Sequence, residues 1–148
     1  MSYHERRQQL ADTLKQQTAG SVRLDKTTSN VFRDRPTTQA QRLLDVSQFN
    51  HVLNVDPQNS LIETEGMTTY EALVDRSLSH GVMPAVVPQL KSITIGGAVS
   101  GIGIESSSFR YGLPHESIGE MDVLLGSGEV VTCTPDNEHR DLFSGLAN

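Results

Sequence analysis

The segment Ile95–Gly112, IGGAVSGIGIESSSFRYG, concentrates residue types that can hold a ligand by backbone alone. It contains five of the chain's 12 glycines and three consecutive serines, Ser106 to Ser108. Each glycine costs roughly 0.5–1 kcal/mol against alanine inside an ordinary element, so this density needs a reason. Gly96 and Gly97 follow directly on the strand-like stretch SITI, and the chain turns at once. Small residues and unshielded N–H groups in such a turn form a concave nest for phosphate oxygens. The competing reading is a bulged, tightly packed sheet corner, where glycine also gathers. For any single glycine pair the residue types favour the corner. For the segment as a whole both readings stand.

Two common phosphate motifs do not fit. GIGIES, Gly101 to Ser106, has the first two glycines of GxGxxG but Ser106 in place of the third, and GxxxxGK[ST] is absent. An anionic ligand would therefore rest on backbone amides and on the hydroxyls of Thr94, Ser100, Ser106 and Ser107. Such donors are adequate in a dry cleft. Glu105 reads either as a group that positions a ligand or as a solvated loop carboxylate. Tyr111 and Gly112 either line a ligand's edge or close a loop. His115 lacks a visible carboxylate partner and reads as a surface or capping residue. His4, His51, His80 and His139 have no metal-ligand spacing, so no metal site is expected. Cys133 lies on an alternating strand and reads as a small buried hydrophobe.

The elements that must position this segment are short. Residues 4–17 predict a helix with a narrow stripe at Leu10 and Leu14. SVRL reads as a strand, followed by the polar loop DKTTSNVFRDRPTTQAQ, long enough to be functional. RLLDV, HVLNVD and SLIETEGM are β-type segments, the last two split by the turn residues of DPQNS. Thr68 opens a helix, with Glu71 completing a capping box. Tyr70, Leu73, Val74 and Leu78 share its inner face, and Gly81 ends it. MPAVVP predicts another strand. SIGEMDVLL and EVVTCT flank GSG as a hairpin, and PDNEHRDLFSGL predicts a helical turn. The order implies an α+β sheet domain. The final hairpin needs further strands to bury it, because two strands alone are marginal in water.

The formal net charge of −6 argues against a nucleic-acid partner. The richest basic cluster, Arg33 and Arg35 near Lys26, is too thin for that role. No apolar run approaches the roughly 20 residues of a membrane span, and the polar N-terminus lacks a signal-peptide pattern. With one cysteine no intramolecular disulfide can form. Together these features predict a soluble, cytoplasmic protein.

The stretch VVPQLKSITIGGAVSGIGIESSSFRYGLPHESIGEMDVLLGSGEVVTCTPDNEHRDLF resembles the cofactor-binding core of FAD-linked oxidases of the vanillyl-alcohol oxidase type. TIGG, GIGIESSS, YGL and CTP…DLF carry the likeness in order, and the Δ24-sterol reductase branch is the most similar. It covers about residues 40–148 and is most specific between Pro88 and Phe143. The resemblance implies a PCMH-type FAD-binding domain over residues 21–148, preceded by a helical segment over 1–20. Such a domain has a small α/β lobe and a larger antiparallel lobe, with FAD between them. The resemblance assigns the cofactor to Thr94, Ile95, Gly96, Gly97, Ala98, Val99, Ser100, Gly101, Gly103, Ile104, Glu105, Ser106, Ser107, Tyr111 and Gly112.

Two departures shape the expectation. Where many relatives carry a glycine loop, often with a flavin-linked His, this chain has DKTTSNVFRDR, without Gly, His or Cys. Non-covalent FAD is therefore expected, with Lys26, Thr27, Thr28 and Ser29 as donors at its other end. The family pattern also continues past DLFSGLAN into further strands and a substrate domain, so the chain reads as the N-terminal part of such a protein. The expected activity is hydride transfer between a small-molecule substrate, sterol- or lipid-like in this branch, and FAD, with no catalytic residue assigned. The alternative is a non-catalytic FAD-domain remnant that self-associates through the open EVVTCT edge. A cell-wall precursor reductase of the same superfold is a weaker match.

Overall fold

The computed structural model describes residues 1–16, 20–26 and 42–146. Helix α1 spans Tyr3–Gln16, with Ala11 and Leu14 buried. Strands β1 (Val22–Asp25) and β2 (Arg42–Asp45) pair in parallel, with Val22 opposite Arg42. Strands β3 (Val52–Asp56) and β4 (Leu61–Thr64) form an antiparallel hairpin with a register shift between Val52 and Asn54. Asp56 Oδ1 accepts the N–H groups of Gln58 and Asn59 and so fixes the turn between them. Helix α2 (Tyr70–Leu78), helix α3 (Ile95–Ser100), the single turn α4 (Ser108–Tyr111) and a 3₁₀ turn at Pro114–Ser117 follow. Strands β5 (Met121–Leu124) and β6 (Val130–Cys133) make the expected hairpin, and α5 (Arg140–Gly145) closes the described chain. Gly128, at φ 80°, turns that hairpin, where an L side chain would be strained.

Four sequence expectations change. Thr69, not Thr68, caps α2 by accepting the N–H of Ala72, while the Thr68 hydroxyl donates to the His51 carbonyl at 3.0 Å. The inner face of α2 uses Ser77, fully buried, instead of Leu78, which is 56% exposed. MPAVVP is not a strand: Pro84 and Pro88 offer no ladder N–H, and the segment runs as irregular backbone. SITI likewise makes a single bridge, Thr69 to Thr94, before α3 begins.

The core lies directly under α3. Ile95, Ala98 and Val99, spaced i, i+3, i+4, face Tyr70 and Leu73 of α2, and Val52, Ile62, Ile118 and Met121 pack around them. Cys133 is fully buried, as its alternating strand predicted. Among the described residues the sheets are three separate strand pairs. None of the described helices is long and apolar enough to cross a membrane.

Candidate functional site

Because α3 buries positions 95, 98 and 99, its opposite face carries Gly96, Gly97 and Ser100, all exposed. The glycine segment is thus a short helix whose outer side is nearly bare backbone. Gly96 has an internal reason to lack a side chain. A Cβ there would stand 2.9 Å from the Gly66 carbonyl oxygen, inside any real contact. The packed-corner reading therefore explains Gly96. It also bears on Gly101, where a Cβ would stand 2.7 Å from the Gly97 carbonyl oxygen, and on Gly97, where it would crowd the capping Thr94 hydroxyl at 3.0 Å.

The N-terminal amides of α3 are bound within the chain. Ile95 donates to the Thr68 carbonyl at 2.9 Å, Gly96 to that of Gly66 at 2.8 Å and Gly97 to Thr94 Oγ1 at 3.2 Å. Farther on the pattern opens. Gly101 and Gly103 donate back to Gly97 and Ala98 and close the helix, while Ile102 between them sits at φ 48°. The N–H groups of Ile102, Ile104, Ser106 and Ser107 make no hydrogen bond to the described residues. The left-handed Ile102 thus ends α3: of the amides around it, those of Gly101 and Gly103 are spent on the helix and that of Ile102 is left free. This donor row passes exposed apolar groups: Ile104 is 77% and Phe109 91% exposed, with Tyr111 and Ile102 about half as open. The Arg110 guanidinium lies 5.3 Å from the centre of the Tyr111 ring.

Most side chains predicted to bind are engaged elsewhere. Thr94 and Ser100 bond the backbone of α3 itself, and Ser107 Oγ donates to the Ala85 carbonyl at 3.2 Å. Glu105 accepts the Gln89 N–H at 3.3 Å, so it clasps the 84–90 loop and is more than a solvated carboxylate. Burial, with the Glu105 charge second, pushes the Tyr70 phenol up. Ser106 keeps a free hydroxyl among the described residues. Gly112, at φ 80°, turns the chain against Glu116, whose carboxylate accepts the Leu113 N–H at 2.6 Å. His115 Nδ1 is buried without a described partner. Of the second expected donor group, Thr27, Thr28 and Ser29 lie outside the described residues, and Lys26 is exposed. Ile102 was not singled out in the sequence, because a β-branched residue gives no signal for a left-handed backbone.

An extended ligand with an anionic linker and a flat apolar end matches this surface: bare helix backbone, a row of free amides and exposed apolar rims. FAD has that chemistry, and the residues fit it. The family model described as FAD binding domain matches residues 6–134. The chain is 32% identical over 103 residues to Delta(24)-sterol reductase of Pisum sativum, covering 70% of this chain and 18% of that protein. It is 36% identical over 92 residues to the Homo sapiens enzyme of that name, covering 62% of this chain and 18% of the relative. The chain therefore spans about a fifth of the length of these relatives. Among solved structures, 6-hydroxy-D-nicotine oxidase from Arthrobacter nicotinovorans superimposes with a TM-score of 0.77 at 18% identity. That match covers 95% of this chain and 31% of the oxidase, and it establishes a shared fold.

Proposed function

The chain belongs to the FAD binding domain family, and from that premise we propose that residues 94–112 hold non-covalent FAD in an oxidoreductase that transfers a hydride to or from an organic substrate. The carrying observation is the set of unbonded N–H groups at Ile102, Ile104, Ser106 and Ser107, in the segment that directly follows the bare-faced α3. Thr94–Ser100 form the floor of the site. Gly101, Gly103, Ile104, Glu105, Ser106 and Ser107 form its wall, in which Ile104, Ser106 and Ser107 carry the free N–H groups, and Tyr111 and Gly112 form its rim. FAD supplies the hydride chemistry when bound, and the protein supplies position and electrostatics. Amide donors suit this role in a chain of negative net charge, since fixed dipoles hold an anion at short range where bulk attraction is missing.

The nucleophiles among the described residues support non-covalent attachment. Cys133 is fully buried, and the candidate segment contains no His or Cys. The sterol reductase names of the relatives support a sterol- or lipid-like alkene as the substrate class. The test is a visible spectrum of the purified chain, before and after FAD addition and removal of excess, followed by acid precipitation. A flavin band retained on the protein and released wholly into the acid supernatant is the expected result. Absence of any retained flavin at saturating FAD overturns the site, and flavin in the acid pellet overturns non-covalent attachment.

A further inference from the structure

Glu65 is the least expected charged group in the fold. Its side chain is 0% exposed and forms an ion pair with Arg6 of α1, which is 11% exposed. The other carboxylate oxygen accepts the His51 N–H at 2.8 Å and meets His51 Nδ1 at 2.7 Å. Arg6 is not fully satisfied by this arrangement: Nη1 reaches the Met1 carbonyl at 2.6 Å, but Nε is buried without a described partner. A buried ion pair is weak evidence for stability, since apolar residues of similar volume often serve as well. A role for the charge is better sought in what the carboxylate fixes.

The Glu65 carboxylate grips His51 through its N–H and ring, and His51 in turn seats the turn of residues 65–68. Glu65 N–H and the Thr68 hydroxyl both donate to the His51 carbonyl at 3.0 Å, and Met67 N–H donates to Phe49 at 2.8 Å. This turn then presents the Gly66 and Thr68 carbonyls, which receive the N–H groups of Gly96 and Ile95. The seat has no slack, because even a Cβ at Gly96 would collide with Gly66.

We propose that Glu65 is a positioning residue for the flavin segment: its carboxylate ties Arg6 of α1 to His51, the His51 carbonyl seats the 65–68 turn, and the turn's carbonyls set the placement of α3. Docking of α1 and occupancy of the cofactor site are thereby coupled. The proposal rests on the FAD reading of residues 94–112 for its functional half, while its structural half is read without ligand.

The test uses the full chain and the variants Glu65→Gln, Arg6→Met and Arg6→Lys. Amide hydrogen exchange is followed at Ile95, Gly96 and, as a reference on the strand of the β5–β6 hairpin away from Met121 and Asp122, Val131. FAD affinity is followed by flavin fluorescence. Loss of a buried charged partner should speed exchange at Ile95 and Gly96 by about tenfold beyond any change at Val131, and weaken FAD by about tenfold. Arg6→Lys, which keeps the charge, should stay within about threefold of the parent on both measures. If Glu65→Gln fails to fold, Arg6→Met gives the same reading from the other partner. Exchange at Ile95 and Gly96 that moves no more than at Val131 overturns the positioning role. Faster exchange with unchanged FAD affinity overturns the coupling alone. A parent chain that binds no FAD removes the cofactor reading, and the exchange ratio still decides whether Glu65 positions α3.

Discussion

At the scale of single residues, Ile102 is the position where sequence and backbone conflict. A β-branched side chain at φ 48° is a steric outlier. The conformation costs about 1–2 kcal/mol relative to a right-handed one. Ile102→Gly removes that cost but adds roughly 0.5–1 kcal/mol of unfolded-state entropy. The side chain is 41% exposed, so little packing is lost. The expected net effect is a gain of a few tenths to about 1 kcal/mol in denaturant midpoint experiments. A loss beyond about 1 kcal/mol would mean that side-chain packing, not strain, dominates there. Other residues were legible in advance. Cys133 reads as buried from strand alternation alone. Gly96 did not disclose its reason, because the carbonyl it must avoid belongs to Gly66, 30 positions earlier. Glu65 gave no signal either: a carboxylate at a strand end looks like any surface charge until α1 folds over it.

At the scale of elements, α1 is tied down at a second point. Asp122 of β5 accepts the Tyr3 hydroxyl at 2.9 Å, the Arg7 guanidinium at 2.7 Å and the Thr132 hydroxyl at 2.7 Å. Burial pushes this carboxyl up, but the hydrogen bonds from Thr132, Tyr3 and Arg7, with the Arg7 charge, outweigh it and hold it below its ordinary value. Burial first, then the bond to Asp122, pushes the Tyr3 phenol up to about 12. A carboxyl lowered by folding adds stability above its unfolded value and loses it as pH falls through the folded one. A phenol raised by folding adds stability below its unfolded value of 10.0 and loses it as pH rises toward about 12. Docking of α1 should therefore weaken at both extremes, below about pH 4 and above about pH 10. Exchange of α1 amides across pH, corrected for intrinsic rates, reads this directly. Asp122→Asn should erase the acid limb while part of the alkaline one survives, since burial of Tyr3 persists. An acid limb unchanged in that variant would assign it to another carboxylate. The helices α1 and α2 and both hairpins were legible from periodicity and turn chemistry. MPAVVP misled because an apolar run between prolines has strand composition without strand donors. The helical state of IGGAVS was hidden by its glycines, whose poor propensity is offset by the Thr94 cap and by the burial of Ile95, Ala98 and Val99.

At the scale of the whole molecule, three separate strand pairs carry the described sheet structure, and isolated pairs are marginal in water. The α+β class was legible because each hairpin and helix announces itself locally. How the pairs share a core was not, because the residues that join them, Ile95, Tyr70 and Met121, meet only through tertiary contacts. A ligand that binds such elements only when folded adds stability with the logarithm of its concentration over its dissociation constant. At 100 times its dissociation constant FAD should add about 2.7 kcal/mol, a rise of roughly 5–10 °C in midpoint for a chain of this size. The comparison with FMN makes the prediction specific to the donor row. FMN keeps the flat ring but ends in a single phosphate without the adenosine half. If the amides of Ile102, Ile104, Ser106 and Ser107 hold the linker between the two halves, FMN at the same concentration should shift the midpoint by less than half as much. Because those donors are neutral dipoles and not mobile cations, the FAD shift should also change little as salt rises toward 1 M, where surface charge pairs are screened within about 3 Å. Equal shifts from both ligands would mean that the ring alone is recognised, and would move the site to the apolar rim of Ile104, Phe109 and Tyr111. A shift that collapses with salt would transfer the binding role from backbone amides to the basic side chains.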